Sequence, residues 1–141
     1  MTGNRELVPF VPLACQEIIL RALLRRGWFD EDSDAKPIKA DAFILDRGRD
    51  KDGLSVVIQS RTDLEAWLRG FSRSYGADKL HTGKVRTLGL DVGQTEEDLR
   101  YHPDHAVITG LPFTDDDPGR AESLASQLAK MSRPVDRTVR K

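Results

Sequence analysis

Apolar residues fall into blocks of differing period along this chain. Between Leu13 and Arg26, the set Leu13, Ile18, Ile19, Ala22, Leu23 and Leu24 recurs mostly at spacings of three and four. That spacing predicts an amphipathic helix with one buried stripe. Pro12 suits its first turn, Gly27 its left-handed C-cap, and Arg21, Arg25 and Arg26 its negative end. Beyond the acidic run Asp30-Glu31-Asp32-Ser33-Asp34 and Pro37, the period shortens. Ile38, Ala40, Ala42 and Ile44 alternate with Lys39, Asp41, Phe43 and Leu45, so 38–46 reads as a strand that becomes central in a sheet. Residues 47–53 have turn composition, and Leu54–Gln59 resumes as a strand with β-branched bulk. Asp41–Ile58 is thus expected to form two antiparallel strands joined by a polar hairpin, with Arg47 and Ser55 near its open end.

Further on, Thr62-Asp63-Leu64-Glu65 matches a capping box, and Leu64, Trp67, Leu68 and Phe71 form a helical stripe. Ser72–Lys79 reads as a connector and Val85–Val92 as a strand weakened by Gly89. Thr95-Glu96-Glu97-Asp98 can cap a single helical turn, and His105–Gly110 alternates as a strand. Asp117 as N-cap and Pro118 as first helical residue start a last helix with Ala121, Leu124, Ala125, Leu128 and Met131 on its buried face. The sum is an α+β domain over residues 10–133, a mixed, mainly antiparallel sheet of about four strands packed by three helices. An extended segment over 1–9 precedes it, and 134–141 follows as a basic, solvated tail.

Composition narrows the function classes. The chain has 141 residues, long enough to bury a core without disulfides or metal. A net charge of −1 argues against a whole-surface nucleic-acid or membrane binder, and leaves nucleic acid only a local patch such as the tail. The lone Cys15 forms no intrachain disulfide and suits a reducing compartment. No apolar run approaches the ~18 residues of a membrane span. A cytoplasmic, soluble protein is expected.

Candidate chemistry is sparse. Of the histidines, His81 and His105 are the acid–base candidates, and His102 sits in a turn. Too few Cys and His are present for a structural zinc site, so no metal is expected, and Asp115-Asp116-Asp117 is accounted for as an acidic helix start. No Gly-x-Ser-x-Gly elbow occurs, and no glycine-rich phosphate cradle. Arg47, Ser55 and Arg86, with Lys84 nearby, are candidate ligands for an anion such as phosphate, set against ordinary ion pairing with Asp41, Asp46, Asp50 and Asp52. The residues point to no particular cofactor.

The succession AFILDR, DGLSV, KLHTGKVRTLGLDV, HAVITGLP and the final A-x-x-LA-x-x-LAK resembles a family of small uncharacterised bacterial domains, many of them cyanobacterial, over roughly Leu23–Met131. Arg47 and Gly53-Leu54-Ser55 more distantly resemble the ADP-ribosyltransferase-like fold of small toxins and RNA 2′-phosphotransferases, in which an arginine ends an early strand near the NAD pocket. No counterpart of the later catalytic glutamate strand is evident. Two functions are therefore expected as rivals. One is a binding or interaction module with a protein partner encoded nearby, as in a two-gene toxin–antitoxin system. The other is a small nucleotide- or RNA-directed enzyme using Arg47 for phosphate and His81 or His105 for proton transfer.

Overall fold

The computed structural model describes residues 10–141, and the extended segment expected over 1–9 lies outside them. Among the described residues the class is α+β, with more strands than expected. Seven strands, β1 (Phe10–Pro12), β2 (Ile18–Ala22), β3 (Leu54–Ile58), β4 (Ala77–His81), β5 (Asp91–Thr95), β6 (His105–Thr109) and β7 (Arg133–Asp136), form one sheet. Their order is β1-β5-β6-β3-β2-β4-β7, with antiparallel neighbours throughout. Among the same residues four α-helices accompany them: α1 (Leu64–Arg69), α2 (Thr82–Arg86), α3 (Glu96–Tyr101) and α4 (Pro118–Met131).

The predicted first helix is instead the strand β2. It lies between β3 and β4, and Ile19, Leu20, Ala22 and Leu23 are all buried. A strand covered on both faces loses its alternation, and the continuous apolar run imitates a helical stripe. The strand expected over 38–46 is a 3-10 helix, Ala40–Phe43, that inserts Ala42 and Phe43 into the core. No β-hairpin therefore spans Asp41–Ile58. β3 pairs with β6 and β2. The expected strand over Val85–Val92 divides into α2, with Val85 buried, and β5, separated by Gly89 at φ +83°. The connector 72–79 contributes most of β4.

The segment read as a solvated tail also belongs to the sheet. β7 pairs with β4, Ser74 and Arg140 exchange backbone hydrogen bonds, and Arg140 donates to Asp136 and Glu65. The hydrogen bond from Arg140, joined by one from Arg69, pulls the Glu65 carboxyl down to about 2.

Two layers flank the sheet. On one face Leu124, Ala125 and Leu128 of α4 close over Ile19, Leu54, Val56, Ile58, Ala106 and Ile108. Burying each leucine, isoleucine and valine among them stabilises the fold by roughly 1.5–3 kcal/mol before entropy is subtracted. The opposite face carries Leu20 and Val57, and a smaller cluster of Ala22, Ala77 and Leu68 forms under α1. Alternation along β3 and β6 puts Ser55, Val57, His105 and Val107 on this second face.

Candidate functional site

Register decides what meets on that face. Val57 stands opposite His105 and Ser55 opposite Val107, which makes Ser55 and His105 diagonal neighbours. Ser55 Oγ lies 2.6 Å from His105 Nε2, and His105 Nδ1 lies 2.7 Å from Asp98 Oδ1. A carboxylate only accepts, so the imidazole donates from Nδ1 and leaves Nε2 to accept the serine hydroxyl proton. Exposure grades along the relay: Ser55 is open to solvent, the His105 side chain is 29% exposed, and that of Asp98 is 6% exposed.

Local structure fixes each member. Asp98 belongs to a capping box at the start of α3, in which its Oδ2 accepts from the Thr95 amide at 3.0 Å and its own amide donates to Thr95 Oγ1 at 3.1 Å. One carboxylate thus terminates a helix and orients an imidazole. His105 is held from behind by the buried Gln94, whose Nε2 donates to the carbonyls of His105 and Pro103, while Arg61 donates to Gln94 Oε1. Gly53 permits the strand entry before Ser55: its φ is +138°, and a Cβ there would lie 2.5 Å from the Ile108 carbonyl oxygen.

Behind the serine, the β2–β3 ladder registers only Ile19–Ile58 and Leu20–Val57. The buried Arg21 then takes over, donating from Nη1 to the Ser55 carbonyl and from Nε to the Ala42 carbonyl, each at 2.9 Å. Its guanidinium lies 4.9 Å from the Trp28 ring centroid. Burial lowers its pKa to about 10, partly opposed by the charge of Asp50, so it remains a cation near neutrality.

Two cavities meet at Ser55 and His105. One, of about 340 Å³, has an apolar wall of Ala22, Leu24, Trp28, Val57, Trp67 and Phe71. Trp67 and Phe71 stand edge to face, centroids 6.0 Å apart. The other, of about 250 Å³, is polar and lined by Arg49, Asp50, Lys51, Asp52 and Glu97 as well as the relay.

The sequence candidates are thus dispersed. Ser55 and His105 come together. Arg47 turns away, its guanidinium 4.2 Å from the Phe113 centroid and 3.0 Å from Asp116 Oδ1, and it lines neither cavity. Arg86 braces α2 against β5, donating to Asp91 Oδ1, Leu13 O and Cys15 Sγ. His81 ends β4, with β2 and β3 between it and β6. Asp98 and Arg49 were not among the candidates. The capping pattern at Thr95 was the one signal that could have singled out Asp98. No protein-family model, curated protein or solved structure matches the chain.

Proposed function

We propose that this protein is a serine acyl hydrolase working through Ser55, His105 and Asp98. The observation that carries the reading is the continuous relay from an exposed hydroxyl through a half-buried imidazole to a buried carboxylate, with both links under 2.8 Å at 2.6 and 2.7 Å. As Ser55 Oγ bonds to an ester carbonyl carbon, its proton passes to His105 Nε2. Asp98 holds the ring and offsets the imidazolium charge. Collapse of the tetrahedral adduct breaks the bond to the leaving alcohol, which takes the proton back from Nε2. Water then attacks the acyl-serine, gives a proton to His105, and the Ser55 oxygen departs with that proton.

Phosphate chemistry, the enzyme reading favoured by the sequence, has less support. Arg47 is engaged with Asp115 and Asp116, and acids outnumber bases around the polar cavity. The interaction-module reading rests on exposed apolar residues. Among those described, Val11, Leu99, Tyr101, Val135 and Val139 are spread over β1, α3 and the C-terminal segment. Turnover of p-nitrophenyl esters tests the proposal. Wild-type protein should release nitrophenolate catalytically, and Ser55→Ala and His105→Ala should each reduce kcat by about 10³-fold or more while the fold persists. Equal release by wild type and Ser55→Ala would defeat it.

A further inference from the structure

The two cavities differ in chemistry, and the nucleophile stands where they join. Ser55 and His105 line both, together with Arg49 and Asp50. The apolar cavity is walled by half-buried Trp67 and Phe71 and by buried Trp28, over a floor of Ala22 and Val57. Small floor residues beneath large aromatic walls leave a slot for an apolar group. The slot is not needed to hold the relay, since Asp98, Thr95 and Gln94 do that from the other side.

The polar cavity has a different bias. Asp50, Asp52 and Glu97 face Arg49 and Lys51 there, and Arg49 is itself paired with Asp46 at 3.3 Å. The surplus is acidic even with Asp98 set aside as the partner of His105. An anionic group entering this side would meet like charge.

Resting on the serine-hydrolase reading, we infer that the substrate is an ester joining an apolar acyl group to a neutral or cationic alcohol. The acyl group occupies the slot between Trp28, Trp67 and Phe71, and the alcohol leaves through the acidic side. Apolar acyl groups gain by leaving water for the slot, while a cationic alcohol gains from Asp50, Asp52 and Glu97. In the acylated enzyme the apolar group remains in the slot while water reaches the carbonyl from the polar side.

The test compares acetyl, butyryl and hexanoyl esters of p-nitrophenol, then hexanoyl esters of choline and of glycolate. Expected kcat/KM rises by about tenfold or more from acetyl to hexanoyl. Trp67→Ala lowers the hexanoyl-to-acetyl ratio about tenfold, and Phe71→Leu moves it in the same direction if Trp67→Ala fails to fold. The choline ester outpaces the glycolate ester by roughly fivefold at low salt.

The chain's two tryptophans, Trp28 and Trp67, both line the slot, which supplies a readout independent of turnover. In Ser55→Ala, ethyl hexanoate should change tryptophan emission saturably. Ser55-dependent turnover with a flat chain-length profile overturns the acyl-slot assignment and leaves the hydrolase reading standing. Absence of Ser55-dependent turnover on every ester overturns both. An unchanged emission in Ser55→Ala also overturns the slot.

Discussion

Replacing Asp98 by asparagine isolates the orienting role of the carboxylate from its role as a helix cap. Asp98 Oδ2 now accepts the Thr95 amide at 3.0 Å, and Oδ1 accepts His105 Nδ1–H at 2.7 Å. An asparagine keeps only one acceptor oxygen. The Thr95 amide is a fixed backbone donor at the helix start, so the amide oxygen turns toward it and the NH₂ group faces His105 Nδ1. The imidazole must then accept at Nδ1 and carry its proton on Nε2. That proton points at Ser55 Oγ, and the base that should take the serine proton is gone.

The loss expected from a reversed tautomer in such a relay is about 10⁴-fold in rate, or about 5.4 kcal/mol at 1.36 kcal/mol per decade. Stability should change far less, by under about 1 kcal/mol, because the cap of α3 retains its acceptor. The assay measures the rate of Ser55 modification by a fluorophosphonate, alongside thermal unfolding and the imidazole ¹⁵N shifts. Asp98→Asn should unfold near the wild-type temperature, show protonated Nε2, and react about 10⁴-fold more slowly. A variant that reacts within threefold of wild type, or keeps the proton on Nδ1, would refute the reasoning.

Other consequences follow from the same geometry. Gly53→Ala should destabilise by at least about 2 kcal/mol in denaturant unfolding, because a Cβ at 2.5 Å from the Ile108 carbonyl adds to a φ of +138°. Arg47→Ala should leave ester turnover unchanged and shift stability by no more than about 1 kcal/mol, since its partners Asp115 and Asp116 are exposed and its contact with the Phe113 ring is the larger loss. The Glu65 carboxyl is lowered from 4.5 to about 2 by Arg140, so its contribution is present above pH 4.5 and is lost as the pH falls toward 2. Across that window the melting temperature of wild type should drop more than that of Arg140→Met. Equal slopes would show that Arg140 does not couple to the acid transition.

Some of the site was readable in the chain before its fold was known. Ser55 and His105 stood out as a polar residue beside a β-branched run and a histidine opening a strand, and both positions are strands. The caps at Thr95 and Asp117 also announced themselves, because a side-chain acceptor three residues before an amide is a local signal. The meeting of Ser55 with His105 was not local. It depends on the Val57–His105 register, which brings together two residues fifty apart and which no spacing encodes.

The central strand β2 was hidden for the opposite reason. Ile18, Ile19 and Leu20 are adjacent and the last two are buried on opposite faces, so the chain shows no alternation there. The same lack of alternation hides Arg21, whose pattern suits a cation at the end of a helix and which is a buried bridge to the Ser55 carbonyl. Likewise the loop 46–53 carries two arginines of equal promise, and only its folded path sends Arg47 to Phe113 and Arg49 to the cavities.

The most direct test of the account is site-resolved mass spectrometry after brief exposure to a fluorophosphonate at neutral pH. The account predicts a single stoichiometric adduct on Ser55, abolished in His105→Ala and in unfolded protein. Wild-type protein that remains unmodified, or that is modified at another residue with Ser55 untouched, would contradict it.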